Sequence, residues 1–175
     1  RIVKLAGKGM AGARAHLRYI QRDGVTRDGQ AGQLYGADQD KLDERAFLDR
    51  ADGDRHQFRF IVSSEDAAEL DDLRTFTRTL MRRLEVDLQT RLDWIAVDHH
   101  DTDNPHTHIV LRGRADNGQD LVIAPDYMAH GMRARAAEIA TQWLGPRTER
   151  EIADSLQREV QQERFTTLDR SLLRQ

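Results

Sequence analysis

The chain has 175 residues, 38% of them hydrophobic, with a mean hydropathy of -0.73. Such a chain can bury one ordinary core, and we expect a single soluble domain without a transmembrane or signal segment. Cysteine is absent, which excludes disulfides and thiolate metal sites and leaves histidines as the expected metal ligands.

The net charge of -3 hides an uneven distribution along the chain. Residues 1–27 carry seven Lys and Arg against one Asp, a net +6, whereas residues 28–54 carry eight acids against three bases, a net -5. The N-terminal segment therefore predicts a basic patch of the kind that binds nucleic-acid phosphates.

The first third of the chain is predicted to form one strand and one helix. Residues 1–5 read as a short strand. Residues 10–21 are rich in Ala, Leu and Arg with apolar positions three or four apart, which predicts a helix of about three turns. Residues 24–54 lack sustained periodicity and predict a long loop, with a short helix around residues 42–48.

The middle of the chain predicts three strands and a helix. Residues 56–62 alternate between apolar and polar side chains, as in a half-buried strand. Ser63 with Asp66 resembles a capping box, which predicts a helix from that point to about residue 89. Apolar runs at residues 92–97 and 107–112 predict two further strands.

The last third predicts one more strand and then helices. An Asn-Gly pair at 117–118 predicts a turn into a fifth strand at residues 120–123. Pro125 suits the first position of a helix that ends near residue 144, before a Gly-Pro pair. Thr148 with Glu151 predicts the cap of another helix.

These elements predict an α+β fold with a five-stranded, largely antiparallel sheet and helices packed on it. We expect one domain over residues 1–145, with residues 146–175 as a helical extension of the same domain. Because the chain begins with Arg1 rather than Met, we also expect it to be an excised domain of a longer protein.

The stretch 97–111, which joins the last two of the three middle strands, contains four histidines and three aspartates. If residues 107–112 form a strand, His106 and His108 leave one face of it, about 6.8 Å apart along the backbone. His99 lies across the loop from them if the two strands form a hairpin. The spacing His-x-Asp-x4-His-x-His then predicts a divalent metal site with positions open to water or substrate.

A metal site together with a basic patch predicts phosphoryl transfer on nucleic acid. Tyr19 in the N-terminal helix is the candidate nucleophile. Arg14, Arg18 and Arg22 are four residues apart and predict a stripe beside Tyr19 that holds a phosphodiester. Packing of this tyrosine in the core is the alternative.

The block His99-x-Asp101-x4-His106-x-His108 resembles the third motif of the HUH-endonuclease relaxases. It is most similar to the P-class (MOBP) relaxases of conjugative and mobilizable elements, which include plasmids and integrative conjugative elements. Thr107 departs from this motif, since a bulky apolar residue usually stands between the last two histidines.

Two further segments carry the same resemblance, which covers about residues 1–145. Tyr19 and the Asp23-Gly24 pair resemble the first relaxase motif, which carries the nucleophilic tyrosine. The strand that ends at Ser63 and Ser64 is similar to the second motif, which contacts DNA.

The resemblance implies a site- and strand-specific nicking and joining enzyme. His99, His106 and His108 would bind Mn2+ or Mg2+ foremost, or Zn2+, Co2+ or Ni2+ by the same imidazole chemistry. Tyr19 would attack a phosphate of single-stranded or hairpin DNA at a transfer origin, which gives a 5′-phosphotyrosyl bond and a free 3′-OH. Asp101 would either orient a ligand histidine or accept the Tyr19 proton.

The resemblance also implies DNA contacts and partners. The expected DNA-binding residues are Arg14, Arg18, Arg22, Ser63 and Ser64. The expected partners are relaxosome accessory proteins and a type IV secretion coupling protein. We expect a bacterial cytoplasmic protein without membrane insertion.

Two other interpretations stay open at this point. In HUH replication initiators and single-tyrosine transposases the nucleophile follows the histidine strand, where Tyr127 lies in this chain. Alternatively, the chain is a DNA-binding accessory module that cleaves nothing. Its metal would then be structural, with a coordination shell completed by Asp101 or Asp103.

Overall fold

Four strands form one antiparallel sheet in this computed structural model, which describes residues 1–5, 9–63, 72–102 and 104–145. The strands are β1 (Ile2–Lys4), β2 (His56–Ser63), β3 (Trp94–His99) and β4 (His106–Arg112). Their order in the sheet is β1-β2-β4-β3, and every neighbouring pair is antiparallel. The predicted α+β class and antiparallel pairing are therefore confirmed.

The predicted fifth strand at residues 120–123 is wrong. The alternation that suggested it is real, because Leu121 and Ile123 are both only 4% exposed. However, this segment pairs through a single bridge between Arg114 and Asp120. The carbonyl of Leu121 instead accepts a hydrogen bond from Nε2 of His56 at 3.0 Å. Alternating burial marks a segment that lies on a core, and it does not require a strand partner.

Three of the helices lie within a few residues of their predicted positions, whereas the helix predicted to start at the Ser63–Asp66 box begins at Leu73. The helices are α1 (Gly9–Ile20), α2 (Glu44–Ala51), α3 (Leu73–Leu88) and α4 (Met132–Leu144), the last preceded by a π-helical turn (Tyr127–Gly131). No helix among the described residues is long and apolar enough to cross a membrane. The predicted helical extension, residues 146–175, lies outside the described residues.

The start of α3 differs from the predicted capping box. Asp72 is the N-cap of this helix, and its carboxylate accepts a hydrogen bond from the backbone N–H of Thr75 at 3.0 Å. Ser63 is the last residue of β2 and pairs with His106 of β4. Asp66, the second residue of the predicted box, lies outside the described residues.

The sheet separates two hydrophobic cores. Successive residues of a strand point to opposite faces, so β4 contributes Val110 to one core and Ile109 and Leu111 to the other. The core that contains Val110 includes residues of α1 and α2, namely Ala13, Leu17, Ile20, Phe47 and Leu48. The other core includes residues of α3 and α4, namely Leu73, Phe76, Leu80, Met81, Leu84, Met132 and Ile139.

Charged residues are paired where β4 ends, and we call this group the arginine end. Arg112 donates to both carboxylate oxygens of Asp54 at 2.9 Å and to Asp93 at 3.0 Å. Arg114 donates to Asp54 at 3.0 Å. The Asp54 side chain is 1% exposed, so this carboxylate is buried against two guanidinium groups.

Candidate metal centre

Three histidines converge where β3 ends and β4 begins, and we call this group the histidine end. His99 and His106 are direct partners in the antiparallel register of the two strands, and His108 follows two residues along β4. The imidazole centroids are 4.4 to 5.2 Å apart. One nitrogen from each ring lies within 4.8 Å of the other two. The hairpin therefore brings together the three residues that the spacing predicts.

Backbone carbonyls hold two of these rings. Nε2 of His99, a fully buried residue, lies 2.7 Å from the carbonyl of Ile20 at the end of α1. Nδ1 of His106 lies 3.0 Å from the carbonyl of Asn104. A carbonyl only accepts hydrogen bonds, so these nitrogens carry the protons. The lone pairs left for a metal are those on Nδ1 of His99 and Nε2 of His106.

The surroundings of His99 and His108 favour the neutral form of these two imidazoles. Burial, followed by the nearby His99, His106 and His16, lowers the pKa of His108 to about 4. Burial also lowers the pKa of His99. Neutral imidazole is the form that ligates a cation, so both residues are ready to bind one at neutral pH.

The donor set fits a divalent ion. Such an ion lies about 2.1 Å from each imidazole nitrogen, which spaces the nitrogens roughly 3.0 to 3.4 Å apart. The three nitrogens lie within 4.8 Å of one another, so they would have to move closer together around the ion. No carboxylate of a described residue belongs to the group, so three protein ligands leave coordination positions for other molecules. Asp103 lies outside the described residues.

Thr107, the departure from the relaxase motif, points to the opposite face of β4. Its hydroxyl donates to Oδ1 of Asp98 at 2.7 Å, and the same oxygen accepts from the hydroxyl of Tyr35 at 2.6 Å. Because Thr107 is 1% exposed, its polar group needs this partner. The network of Tyr35, Asp98 and Thr107 lies on the face of the sheet opposite the histidines.

Tyr19 lies on the same side of the sheet as the histidines. It belongs to α1, and its side chain is among the most exposed hydrophobics, at 59%. The guanidinium carbon of Arg22 lies 4.9 Å from the centre of the tyrosine ring. Nη1 of the same arginine lies 3.4 Å from Nδ1 of His99. One guanidinium group thus links the phenol to the histidine end, and burial of Tyr19 in the core is wrong.

The three candidate arginines do not form one stripe. Arg14 and Arg18 are exposed on α1. The helix ends at Ile20, so Arg22 lies beyond it and turns inward, where Nη2 donates to Asp101 at 2.8 Å. A spacing of four residues predicts a common face only while the helix continues.

Asp101 contacts Arg22 rather than a ligand histidine. Its Oδ1 is 4.0 Å from Nδ1 of His99, which is beyond hydrogen-bond distance, and its Oδ2 accepts from Arg22. The orienting contact expected from Asp101 is made instead by the carbonyl of Ile20. The sequence carries no signal for this contact, because any residue supplies a carbonyl.

Of the two serines expected to contact DNA, Ser63 is next to the centre. It is exposed at the end of β2 and lies directly opposite His106 in the register of β2 and β4. Directly paired residues of antiparallel strands project from the same face, so Ser63 borders the histidine end. Ser64 lies outside the described residues.

Tyr127 lies on the opposite side of the sheet from the histidines. It packs against the core of α3 and α4, and its hydroxyl donates to Asp87 at 2.5 Å. Arg135 binds both oxygens of the same carboxylate, at 2.8 and 2.9 Å. Burial and the Asp87 carboxylate raise the pKa of Tyr127, which makes this phenol a poor nucleophile.

His16 is a further histidine that the fold brings to the centre. It lies on α1, and its ring centroid is 6.5 Å from that of His108 in an edge-on arrangement. Burial, followed by the charges of Arg59 and Arg1, lowers the pKa of His16 to about 4. In the sequence, His16 lies about one helical turn before Tyr19, and this spacing indicates that the two side chains lie near each other on α1.

Neither protein-family models nor curated proteins give a match to this chain. The interpretation of the centre therefore depends on its own geometry and on the motifs quoted above.

Proposed function

We propose that this chain is the nuclease domain of a relaxase that nicks and rejoins single-stranded DNA at a transfer origin. His99, His106 and His108 hold a divalent ion, foremost Mn2+ or Mg2+, and Tyr19 is the nucleophile. Relaxosome proteins and a coupling protein of type IV secretion are the proposed partners of the complete enzyme.

The observation that carries this proposal is the shared location of a convergent histidine triad and an exposed tyrosine. The three imidazoles and Tyr19 lie on the α1 side of the sheet, joined through Arg22. A structural metal site has a closed coordination shell, whereas this triad leaves positions that a phosphate oxygen can take. An exposed phenol beside such positions favours catalysis over an accessory role.

The reaction is an exchange of phosphodiesters. A divalent ion held by His99, His106 and His108 would supply the positive charge that withdraws electron density from a non-bridging phosphate oxygen. Oη of Tyr19 forms a bond to phosphorus while the bond from phosphorus to O3′ breaks. The tyrosine gives up its proton and the leaving 3′ oxygen takes one up, so the products are a 5′-phosphotyrosyl bond and a 3′-OH. Attack by that 3′-OH on the phosphotyrosine rejoins the strand.

Other side chains of the centre position the phosphate and the phenol. The guanidinium of Arg22 lies over the Tyr19 ring and places a positive charge beside this side chain. Asp101 fixes Arg22 through an ion pair of 2.8 Å. Arg14 and Arg18 extend the positive surface along α1, and Ser63 supplies a hydroxyl on the other side of the histidines.

Covalent capture of DNA tests the proposal. The protein is incubated with Mn2+ and a randomised pool of single-stranded oligonucleotides that carry a fluorophore at the 3′ end. Because the fragment on the 3′ side of the cleaved bond joins to tyrosine through its 5′ phosphate, the fragment that carries the 3′ label stays with the protein on a denaturing gel. We expect a labelled adduct that chelator abolishes, and sequencing of the trapped strands identifies the origin.

Two matched variants assign the nucleophile. Tyr19→Phe should lose the adduct completely because it removes the attacking oxygen, whereas Tyr127→Phe should keep it. Adduct loss in Tyr127→Phe with retention in Tyr19→Phe would favour the initiator or transposase interpretation. If the wild-type protein binds Mn2+ but forms no adduct with any strand of the pool, the accessory-module interpretation is favoured.

A further inference from the structure

Arg22 contacts three side chains of the centre, those of Tyr19, Asp101 and His99. Its guanidinium lies over the Tyr19 ring at 4.9 Å, donates to Asp101 at 2.8 Å and faces Nδ1 of His99 at 3.4 Å. The side chain is 36% exposed, so one part of it meets solvent while another reaches the fully buried His99. A surface arginine that contacts only DNA needs none of these protein contacts.

The contact with His99 uses the lone pair that a metal needs. Nε2 of His99 donates its proton to the carbonyl of Ile20, so Nδ1 holds the ring's only in-plane lone pair. This lone pair accepts a hydrogen bond from Arg22 or binds a cation, but not both. A guanidinium that stayed at this distance would also repel the incoming ion.

We infer that Arg22 is a positioning residue that the metal releases from His99 and makes available to a DNA phosphate. This inference rests on the proposed function and adds to it a coupling between metal and DNA binding. When an ion takes Nδ1, Arg22 keeps its ion pair with Asp101 and its place over Tyr19. The freed Nη1 then donates to a phosphate oxygen beside the phenol, and the anion offsets the repulsion between the two cations.

The coupling has a thermodynamic signature. If Arg22 opposes the ion in the absence of DNA and DNA relieves that opposition, the metal raises DNA affinity and DNA raises metal affinity by the same factor. Removal of the guanidinium should then tighten metal binding and weaken the coupling. A residue that merely supports the fold would show the reverse, since its loss would loosen the histidines and reduce metal affinity.

Calorimetric titration with Mn2+ alone tests the first part. We expect Arg22→Gln to bind Mn2+ about tenfold more tightly than the wild type, because a partly solvent-screened positive charge near the ion has been removed. The matched control is Arg18→Gln, which removes the same charge from an exposed position on α1 and should leave Mn2+ affinity unchanged. Thermal unfolding in chelator verifies that both variants are folded.

Fluorescence anisotropy with a labelled single-stranded pool of about 30 nucleotides tests the second part. All proteins carry Tyr19→Phe, which prevents cleavage and keeps the aromatic ring beneath Arg22. The factor by which Mn2+ raises DNA affinity should be about tenfold smaller in the Arg22→Gln protein than in the protein that retains Arg22. Arg18→Gln should lower DNA affinity equally with and without Mn2+.

The outcomes separate this inference from the proposed function. Unchanged or weaker Mn2+ binding by Arg22→Gln, with normal wild-type binding, overturns the inference and leaves the metal centre intact. Equal coupling factors with and without Arg22 also overturn it. If the wild-type protein does not bind Mn2+, both the inference and the proposed function fail.

Discussion

The two ends of β4 carry polar clusters of opposite character. At the arginine end, the Asp54 carboxylate accepts hydrogen bonds from Arg112 and Arg114. At the histidine end, three imidazoles face one another, and the group of mutually close donors contains no carboxylate of a described residue. The seven-residue strand β4 thus has at one end a cluster whose charged groups pair with one another, and at the other end three imidazoles that could bind a metal ion.

This difference distinguishes a structural cluster from a candidate site. Buried charges that are paired and fully hydrogen-bonded have no capacity left for a ligand. Neutral imidazoles whose second nitrogens are fixed by carbonyls keep directed lone pairs for a cation. The comparison predicts that variants at the arginine end reduce stability without changing metal affinity, whereas variants at the histidine end reduce metal affinity far more than stability.

The largest expected effect on stability comes from Asp54→Asn. The variant leaves Arg112 and Arg114 without their shared buried carboxylate, which should cost about 3 kcal/mol, the lower part of the usual range because Arg112 keeps Asp93. Urea unfolding measures this loss, and Mn2+ titration should give an unchanged affinity. The matched control is Asp120→Asn, whose partner Arg55 is 81% exposed, and its cost should be under about 1 kcal/mol.

A smaller change in stability but a large change in metal affinity is expected for His106→Ala. The loss of a ligand should weaken Mn2+ binding by at least about 100-fold, which is the upper range for loss of an outer contact. In chelator, the free energy of unfolding should change by less than about 1 kcal/mol, since His106 is partly exposed. The exposed His130 on the π-helical turn provides the control, His130→Ala. Equal Mn2+ affinity in the His106 and His130 variants would contradict the assigned ligand set.

The smallest expected effect is on how stability depends on pH, and it differs between the two ends of β4. The pKa of His108 is lowered from 6.5 to about 4 by folding. As the pH falls, His108 is therefore protonated in the unfolded chain before it is protonated in the folded protein, and stability decreases between pH 6.5 and about 4. Burial opposes ionisation of Asp93, but hydrogen bonds from Arg50 and Arg112 outweigh it and lower the pKa of this carboxyl. Its contribution to stability is present above 3.8, the ordinary value, and is lost as pH falls below it.

Urea unfolding in chelator across this pH range is the measurement. His108→Gln should make the decline between 6.5 and about 4 shallower, while Asp93→Asn should alter only the decline below 3.8. If Asp93→Asn also removed the upper decline, the two ends would not titrate independently, and the comparison would be wrong.

The sequence was sufficient to predict the ligand set because the ligands are close in the chain. In a hairpin with a short loop, the loop length fixes which residues pair, so the spacing His-x-Asp-x4-His-x-His places the three imidazole rings next to one another. The strands and helices near the centre followed from the same periodic patterns. The prediction of a fifth strand failed because Leu121 and Ile123 have strand-like burial, while the segment pairs only through the isolated bridge between Arg114 and Asp120.

Contacts between distant segments were beyond sequence reasoning. The pairing of Asp54 with Arg112 joins residues 58 positions apart, and nothing local to either residue indicates it. The same holds for Arg22, whose contacts with Asp101 depend on where α1 ends and how the next turn approaches β3. Such contacts require the fold, because many charged residues are equally plausible partners in the chain.

The three candidate ligand histidines occupy a span of ten consecutive residues, 99–108, whereas Tyr19 is brought to their side of the sheet only by the docking of α1. On the proposed function, ion binding and attack on DNA would therefore depend on different parts of the polypeptide. A preparation clipped or misfolded near its beginning would then retain its bound ion and yet cleave no DNA. Metal content would consequently be a poor assay of how many molecules in a sample are active.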